Sequence, residues 1–405
     1  MEKQQTQNDR VKQLIKAIGA KGQRKNAEVI YGVYDSSRQS LSTRINDWFI
    51  DHSKVPLEEK TYFFHLLAVM VDAGIPVIQA LKILAARTQN EHFRRVLNTV
   101  VFTVIQGKKL SEAMARFPDV FGDMEVGVVR AGEAAGNLEK MLLRVSEQLE
   151  KTHELQMKIT TASIYPLAVM MVLLVVAAGM LMFVIPSLVS ILREGGLKDS
   201  DFPLATQILL GISNFVAYYW WAAIIGALLL YMVLKVYIGS DTGRLRWDLF
   251  KLKMPVVGTL LRRMYVLRFV STLGILMEAG LPVVNALTII ATSLRSEIYR
   301  LKVWELISEV QQGQKISAGL ADAPFLFPDT VTQMLSVAEQ SASMGSISQK
   351  IGVQYDREID NALKRLTSLF EPIMIVMVGV FVALLALAIL TPVFKLTQLV
   401  SKGDA

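Results

Sequence analysis

"MVDAGIPVIQAL" (Met70–Leu81) and "LMEAGLPVVNAL" (Leu276–Leu287) are nearly the same twelve residues, placed 206 positions apart in a chain of 405. Each sets a glycine (Gly74, Gly280) two residues ahead of a proline (Pro76, Pro282). Glycine takes the left-handed conformation that closes a helix, and proline supplies the fixed φ wanted in the first turn of the next. Apolar residues fall at helical spacing on both sides of the turn: Phe64, Leu67, Ala68 and Val71 before it, Val77, Ile78, Leu81 and Leu84 after it. The stretch therefore reads as a helical hairpin, and its recurrence as a duplicated unit.

Extending the 206-residue offset outward aligns Tyr62–Leu81 with Arg268–Leu287, identical at eight of twenty positions. It also pairs "QGKKLSEAM" (Gln106–Met114) with "QGQKISAGL" (Gln312–Leu320), Pro118 with Pro324, Phe121 with Phe327 and Glu133 with Glu339. Further on, Tyr165-Pro166 meets Glu371-Pro372 and Pro186 meets Pro392, with no gap anywhere in the register. No stretch alternates as a strand does, so each copy is expected to be an all-α bundle of short helices. At roughly 100 residues it is large enough for its own core.

The apolar fraction of 52% is concentrated in three places. Ile164–Leu192 carries no charge, nor do the residues from Pro372 to Phe394, and a third apolar stretch runs from Phe215 to Leu234. Spanning a bilayer takes about 20 apolar residues, so three transmembrane helices are expected. Lys and Arg number 23 before Ala162, two in Ile191–Thr206, 15 between Gly239 and Leu369 and two after Phe394. Cationic segments stay in the cytoplasm, which places the N-terminus and both copies there. The polar opening "MEKQQTQNDRVKQ" is not that of a cleaved signal peptide. The middle stretch has no counterpart in the first copy. Two units that both start inside and both end outside need one crossing to return the chain. "YYWW" (Tyr218–Trp221) then suits the outer interface as an aromatic belt, with helix packing as the alternative.

The expected layout is a basic N-terminal segment (1–56), a first cytoplasmic domain (57–161), a span (162–190) and a short external loop (191–214). A second span (215–238), a second cytoplasmic domain (239–369), a third span (370–394) and an external tail (395–405) follow. Within 1–56, Val11, Leu14, Ile15 and Ile18 share a helical face, as do Leu41, Ile45, Trp48 and Phe49. Such faces suit docking on a partner or the membrane surface, or local packing of a flexible arm.

No chemistry-bearing constellation is found. The four histidines are scattered, there is no cysteine, and no glycine-rich loop ends in Lys-Ser/Thr. The three apolar stretches lack interior charge, which argues against the alternative of a transporter subunit. The net charge of +7 reflects the cytoplasmic bias and favours anionic membrane lipid; acids interleave with the bases, which gives no case for nucleic acid. Neither catalytic residue, cofactor nor metal is expected. The remaining motif is "VRAGEAAGNLEKML" (Val129–Leu142). Gly132 and Gly136, four apart, would let another helix approach, with Glu133 accepting a hydrogen bond or pairing with a base beside that contact. A cation-binding or partner-docking role for Glu133 is the alternative. In the second copy Glu339 is kept and both glycines are alanines, Ala338 and Ala342.

Two helical copies with "AGxPxxxAL", the first also with "GExxG", each followed by a span opening at Tyr-Pro or Glu-Pro and closing at a proline, resemble the type II secretion F-domain family. "LFEPIMIVMVGVFVALLALAILTPVFKL" (Leu369–Leu396) carries the likeness to its end. The resemblance covers Pro56 to Leu396. It implies a non-enzymatic platform in the bacterial inner membrane whose partners are a hexameric cytoplasmic assembly ATPase, pilins or pseudopilins, other inner-membrane assembly proteins and a further copy of itself. On that reading Arg94, Arg95, Lys108 and Lys109 form an exposed basic face for the ATPase.

Overall fold

The computed structural model describes residues 50, 53–194, 204–255 and 257–403. The amphipathic faces expected at 11–18 and 41–49 lie outside the described residues. The first domain consists of α1 (Leu57–Asp72), α2 (Val77–Arg87), α3 (Glu91–Ile105), α4 (Leu110–Met114) and α5 (Asp123–Ala135), and passes into α6 (Leu138–Gly179). A π-helical turn (Met180–Val184) joins α6 to α7 (Ile185–Glu194). Then come α8 (Leu204–Gly239) and α9 (Asp241–Lys253). The second domain follows as α10 (Val257–Glu278), α11 (Val283–Ser293), α12 (Glu297–Gln311), α13 (Ile316–Ala321), α14 (Asp329–Gln340) and α15 (Met344–Gly403).

The duplication holds helix by helix. Both ends of α2 and α3 recur in α11 and α12 displaced by 206 residues. The hairpin turns close alike. Gly74 and Gly280 have φ of +79° and +78°. The amide of Ile75 donates to the Met70 carbonyl at 2.9 Å, and that of Leu281 to Leu276 at 3.1 Å. That six-residue closure satisfies carbonyls the helix end leaves unpaired.

Each domain is centred on aromatic rings. Phe63, Phe64, Phe93 and Phe121 stack edge-on or tilted in the first. Phe269, Tyr299 and Phe327 occupy the equivalent places in the second. Tyr299 brings a hydroxyl into that core and donates it to the Leu326 carbonyl at 2.9 Å, and burial raises its pKa. The apolar cores of the two domains run together without a break.

Among the described residues two helices are long and apolar enough to cross a membrane, Leu138–Ser187 and Met344–Ala383. Their apolar residues point outward along the isolated chain, as at Leu167, Val175, Ile375 and Val376. Lipid is the partner such a surface requires. At 1.5 Å per residue α15 is about 90 Å long, so it carries the domain-packing helix and the apolar segment in one rod. It continues through 395–403, the stretch expected as a tail. The third apolar stretch lies in α8, which departs from helical geometry at Tyr219 (φ −120°, ψ 17°). The Tyr218 carbonyl accepts the Trp221 indole N–H at 3.1 Å there, and both rings are exposed. After Gly239 the chain bends by 103° into α9.

Candidate functional site

Glu133 and Glu339 do the same thing in the two domains. Glu133, on α5, accepts from the amides of Leu110 (2.6 Å) and Ser111 (3.3 Å) and from the Ser111 hydroxyl (2.5 Å). Glu339, on α14, accepts from the amides of Ile316 (2.5 Å) and Ser317 (3.3 Å) and from the Ser317 hydroxyl. Lys109 and Lys315 sit at the N-caps of α4 and α13 with no side-chain hydrogen bond to the helix. The glutamate supplies from across the fold the anionic cap that a short helix needs. Among the described residues no three His, Asp or Glu side chains converge as a metal site would require.

The two glycines flanking Glu133 do not share a helix face as expected. Gly132 lies on α5, where an added Cβ would come within 2.8 Å of the Met141 Cβ, so the close approach it permits is to α6 of its own domain. Gly136 ends α5 with a φ of +70° and makes the turn. A four-residue spacing puts two residues on one face only while the helix continues, and here it stops between them. In the second domain Ala342 holds the same left-handed turn at a φ of 50°.

The four basic residues do not form one patch. Arg95 is buried, which corrects its place on an exposed face; its guanidinium lies 3.8 Å from Glu91. Arg94 is partly exposed and pairs with Glu91 at 3.2 Å. Lys108 and Lys109 are exposed just past the other end of α3. Fourteen helical residues separate these sites by about 20 Å.

The contacts between domains were not anticipated from sequence. The first domain presents α5 to the α10–α11 hairpin of the second. An added Cβ on Gly127 would meet the Ile289 Cδ1 at 2.5 Å, so the glycine lets the two helices close on each other. Arg144 reaches Glu278 at 3.3 Å across the seam. Further down, Lys158 of α6 meets Asp360 of α15 at 2.8 Å, which raises the lysine pKa and holds the two long helices side by side.

Beside this seam lies a buried ion pair, Lys60 to Glu125 at 2.8 Å. Glu125 also accepts from the Gly122 amide at 3.2 Å, closing the first turn of α5. Burial pushes its carboxyl above the ordinary value, with Lys60 pulling the other way. The second domain replaces the pair by Val266 and Val331, both fully buried. Setting the two copies in register and looking for positions that change polarity together would have found it.

Comparison with known proteins agrees with this geometry. The family model of the type II secretion system (T2SS) protein F matches twice, at residues 63–186 and 269–392, repeating the 206-residue offset and together covering more than half of the chain. The type IV pilus assembly protein PilC of Thermus thermophilus is 34% identical over 340 residues, 84% of this chain and 83% of that protein. TapC of Aeromonas hydrophila, also a type IV pilus assembly protein, is 33% identical over 336 residues, 82% and 80% of the two chains. The type II secretion system protein F of Pseudomonas aeruginosa is 30% identical over 334 residues, 82% of each. A helical domain written twice, each copy leading into a long apolar helix and matched over its length, places this chain in the type II secretion system protein F family.

Proposed function

We propose that this protein is a non-enzymatic platform of the bacterial cytoplasmic membrane that couples a cytoplasmic assembly ATPase to the extraction of pilins or pseudopilins into a growing filament. The observation that carries the reading is the seam between the domains. Two domains that share a core and the Arg144–Glu278 pair must lie on the same side of the membrane. The chain leaves the first domain through α6, so it has to cross back before entering the second, and α8 is the apolar helix between them. This favours three crossings, and the distribution of Lys and Arg supports a cytoplasmic place for both domains and the N-terminus. On this reading the two joined domains form one cytoplasmic body on helices whose membrane segments carry no charge. It suits transmitting force from an engine below to filament subunits held in the bilayer. The relatives' names, pilus assembly and type II secretion, support that setting.

The chain has no cysteine, so single introduced cysteines report topology without background. In intact cells a membrane-impermeant thiol reagent is expected to label Lys198→Cys and to spare Lys108→Cys and Lys350→Cys. Labelling of position 350 from outside would overturn the three-crossing arrangement. Coupling is tested by purification in mild detergent, with recovery of an assembly ATPase and a prepilin expected. Reversal of Lys108 and Lys109 is expected to release the ATPase, and reversal of Arg94 is tested separately because it lies at the other end of α3. Retention of the ATPase by both variants would remove this face from the docking surface.

A further inference from the structure

The two domains meet through unlike faces, α5 from the first and the α10–α11 hairpin from the second, and each keeps open the face its twin uses. Ile275 on α10 is 6% exposed, and its first-domain equivalent Val69 is 48% exposed. Ala131 on α5 is 8% exposed, and its second-domain equivalent Val337 is 57% exposed. Tyr62 and Ile78 extend the open apolar surface of the first domain. The polar edge of the seam is matched as well. The equivalents of Arg144 and Glu278 are Lys350 and Asp72, again opposite in sign, and both are exposed.

We propose that copies of this chain associate head to tail through these two faces. The α14 helix of one copy seats on the α1–α2 hairpin of a second, with Lys350 facing Asp72 of the second copy. Gln333 stands where Gly127 stands in the seam, and it would face Ile83 of the second copy as Gly127 faces Ile289. A glutamine in place of that glycine removes the closest approach, so the contact between copies is looser than the seam and reversible. The membrane permits the arrangement. The Lys158–Asp360 pair shows that the relation between the domains keeps α6 and α15 alongside each other, and repeating that relation keeps the next copy's helices in the same bilayer. Such a heterologous interface closes into a ring or continues as an arc, according to its rotation.

The inference goes beyond the platform reading, and its test needs neither ATPase nor pilin. Full-length chains carrying Ile83→Cys and Gln333→Cys, distinguished by tags of different size, are co-expressed and oxidised in membranes. Arg144→Cys/Glu278→Cys within one chain serves as the control for the seam. A mixed disulfide joining the two tags is expected, well above that formed by Ile83→Cys with Lys108→Cys. Asp72→Lys or Lys350→Asp alone is expected to lower it roughly two- to fivefold, as for one exposed ion pair turned repulsive, and the two together to restore it. Absence of the mixed species, or dominance of 83–83 pairing, would overturn the proposal. So would failure of the seam control, because the proposed contact copies the seam. Loss of the cross-link leaves the platform reading standing; loss of ATPase recovery leaves the cross-link standing.

Discussion

The two helical domains share a fold, its turns and its glutamate cap, and differ in how they treat polar groups in equivalent places. The first domain buries Lys60 against Glu125 where the second packs Val266 and Val331. It makes the α5–α6 turn with Gly136 where the second bends Ala342 into the same conformation. It buries Arg95 on α3 where the second exposes Leu301 on α12. A common backbone thus tolerates opposite chemistry at matched sites, so long as each site is internally satisfied. Of these divergences the Lys60–Glu125 pair borders the seam itself.

The sharpest way to break the comparison is to exchange the buried pair. Removing one partner leaves the other charge buried, so Lys60→Val or Glu125→Val should each cost about 3–5 kcal/mol in the first domain. The double variant, copying the second domain, should recover most of that loss. Hydrogen exchange of the intact protein resolves the two domains locally and is the appropriate measurement. Equal and additive losses would show that the pair is not coupled. The pH dependence adds a check. Glu125 is held above its ordinary value, so its contribution to stability is complete below the unfolded pKa and is lost as pH rises through the folded one. The advantage of the wild-type pair over Val/Val should therefore be greatest in acid and shrink towards neutrality.

Next in size is the shared cap. Glu133→Ala and Glu339→Ala each strand two amides and a hydroxyl, and a loss of about 2–3 kcal/mol is expected in both domains alike. Faster exchange at Leu110 and Ser111, or at Ile316 and Ser317, would report it. A markedly larger effect of Glu133 on ATPase or pilin recovery than of Glu339, at equal loss of stability, would assign it a docking role as well. The smallest effects are at the turns. Gly136→Ala should destabilise the first domain by about 1 kcal/mol, and Ala342→Gly should stabilise the second by a similar or smaller amount, because only glycine enters the left-handed region without penalty. Changes of the same sign would show that the two turns are not equivalent.

Much of this protein was legible as one-dimensional pattern. The hairpin turns were readable because glycine and proline have local backbone consequences that do not depend on tertiary context. The long apolar helices were readable because a bilayer imposes a length and a composition. Less was readable around Glu133. Spacing predicted a helix face holding Gly132 and Gly136, but a helix ends where its capping turn is satisfied, and that turn consumed Gly136. Arg95 looked like one of four exposed bases because charge is usually solvated; its burial depends on what folds over α3.

The sequence alone determined the duplicated helical module, its register and the helices able to enter a membrane, since each rests on local periodicity or on a repeat that aligns without gaps. Only the tertiary structure decided which face of each domain is spent on the other. Glycine at 127, the pair of Arg144 with Glu278 and the buried Lys60–Glu125 bridge join residues distant along the chain. Their energies come from packing, desolvation and proximity that exist only once the two bundles are folded and brought together.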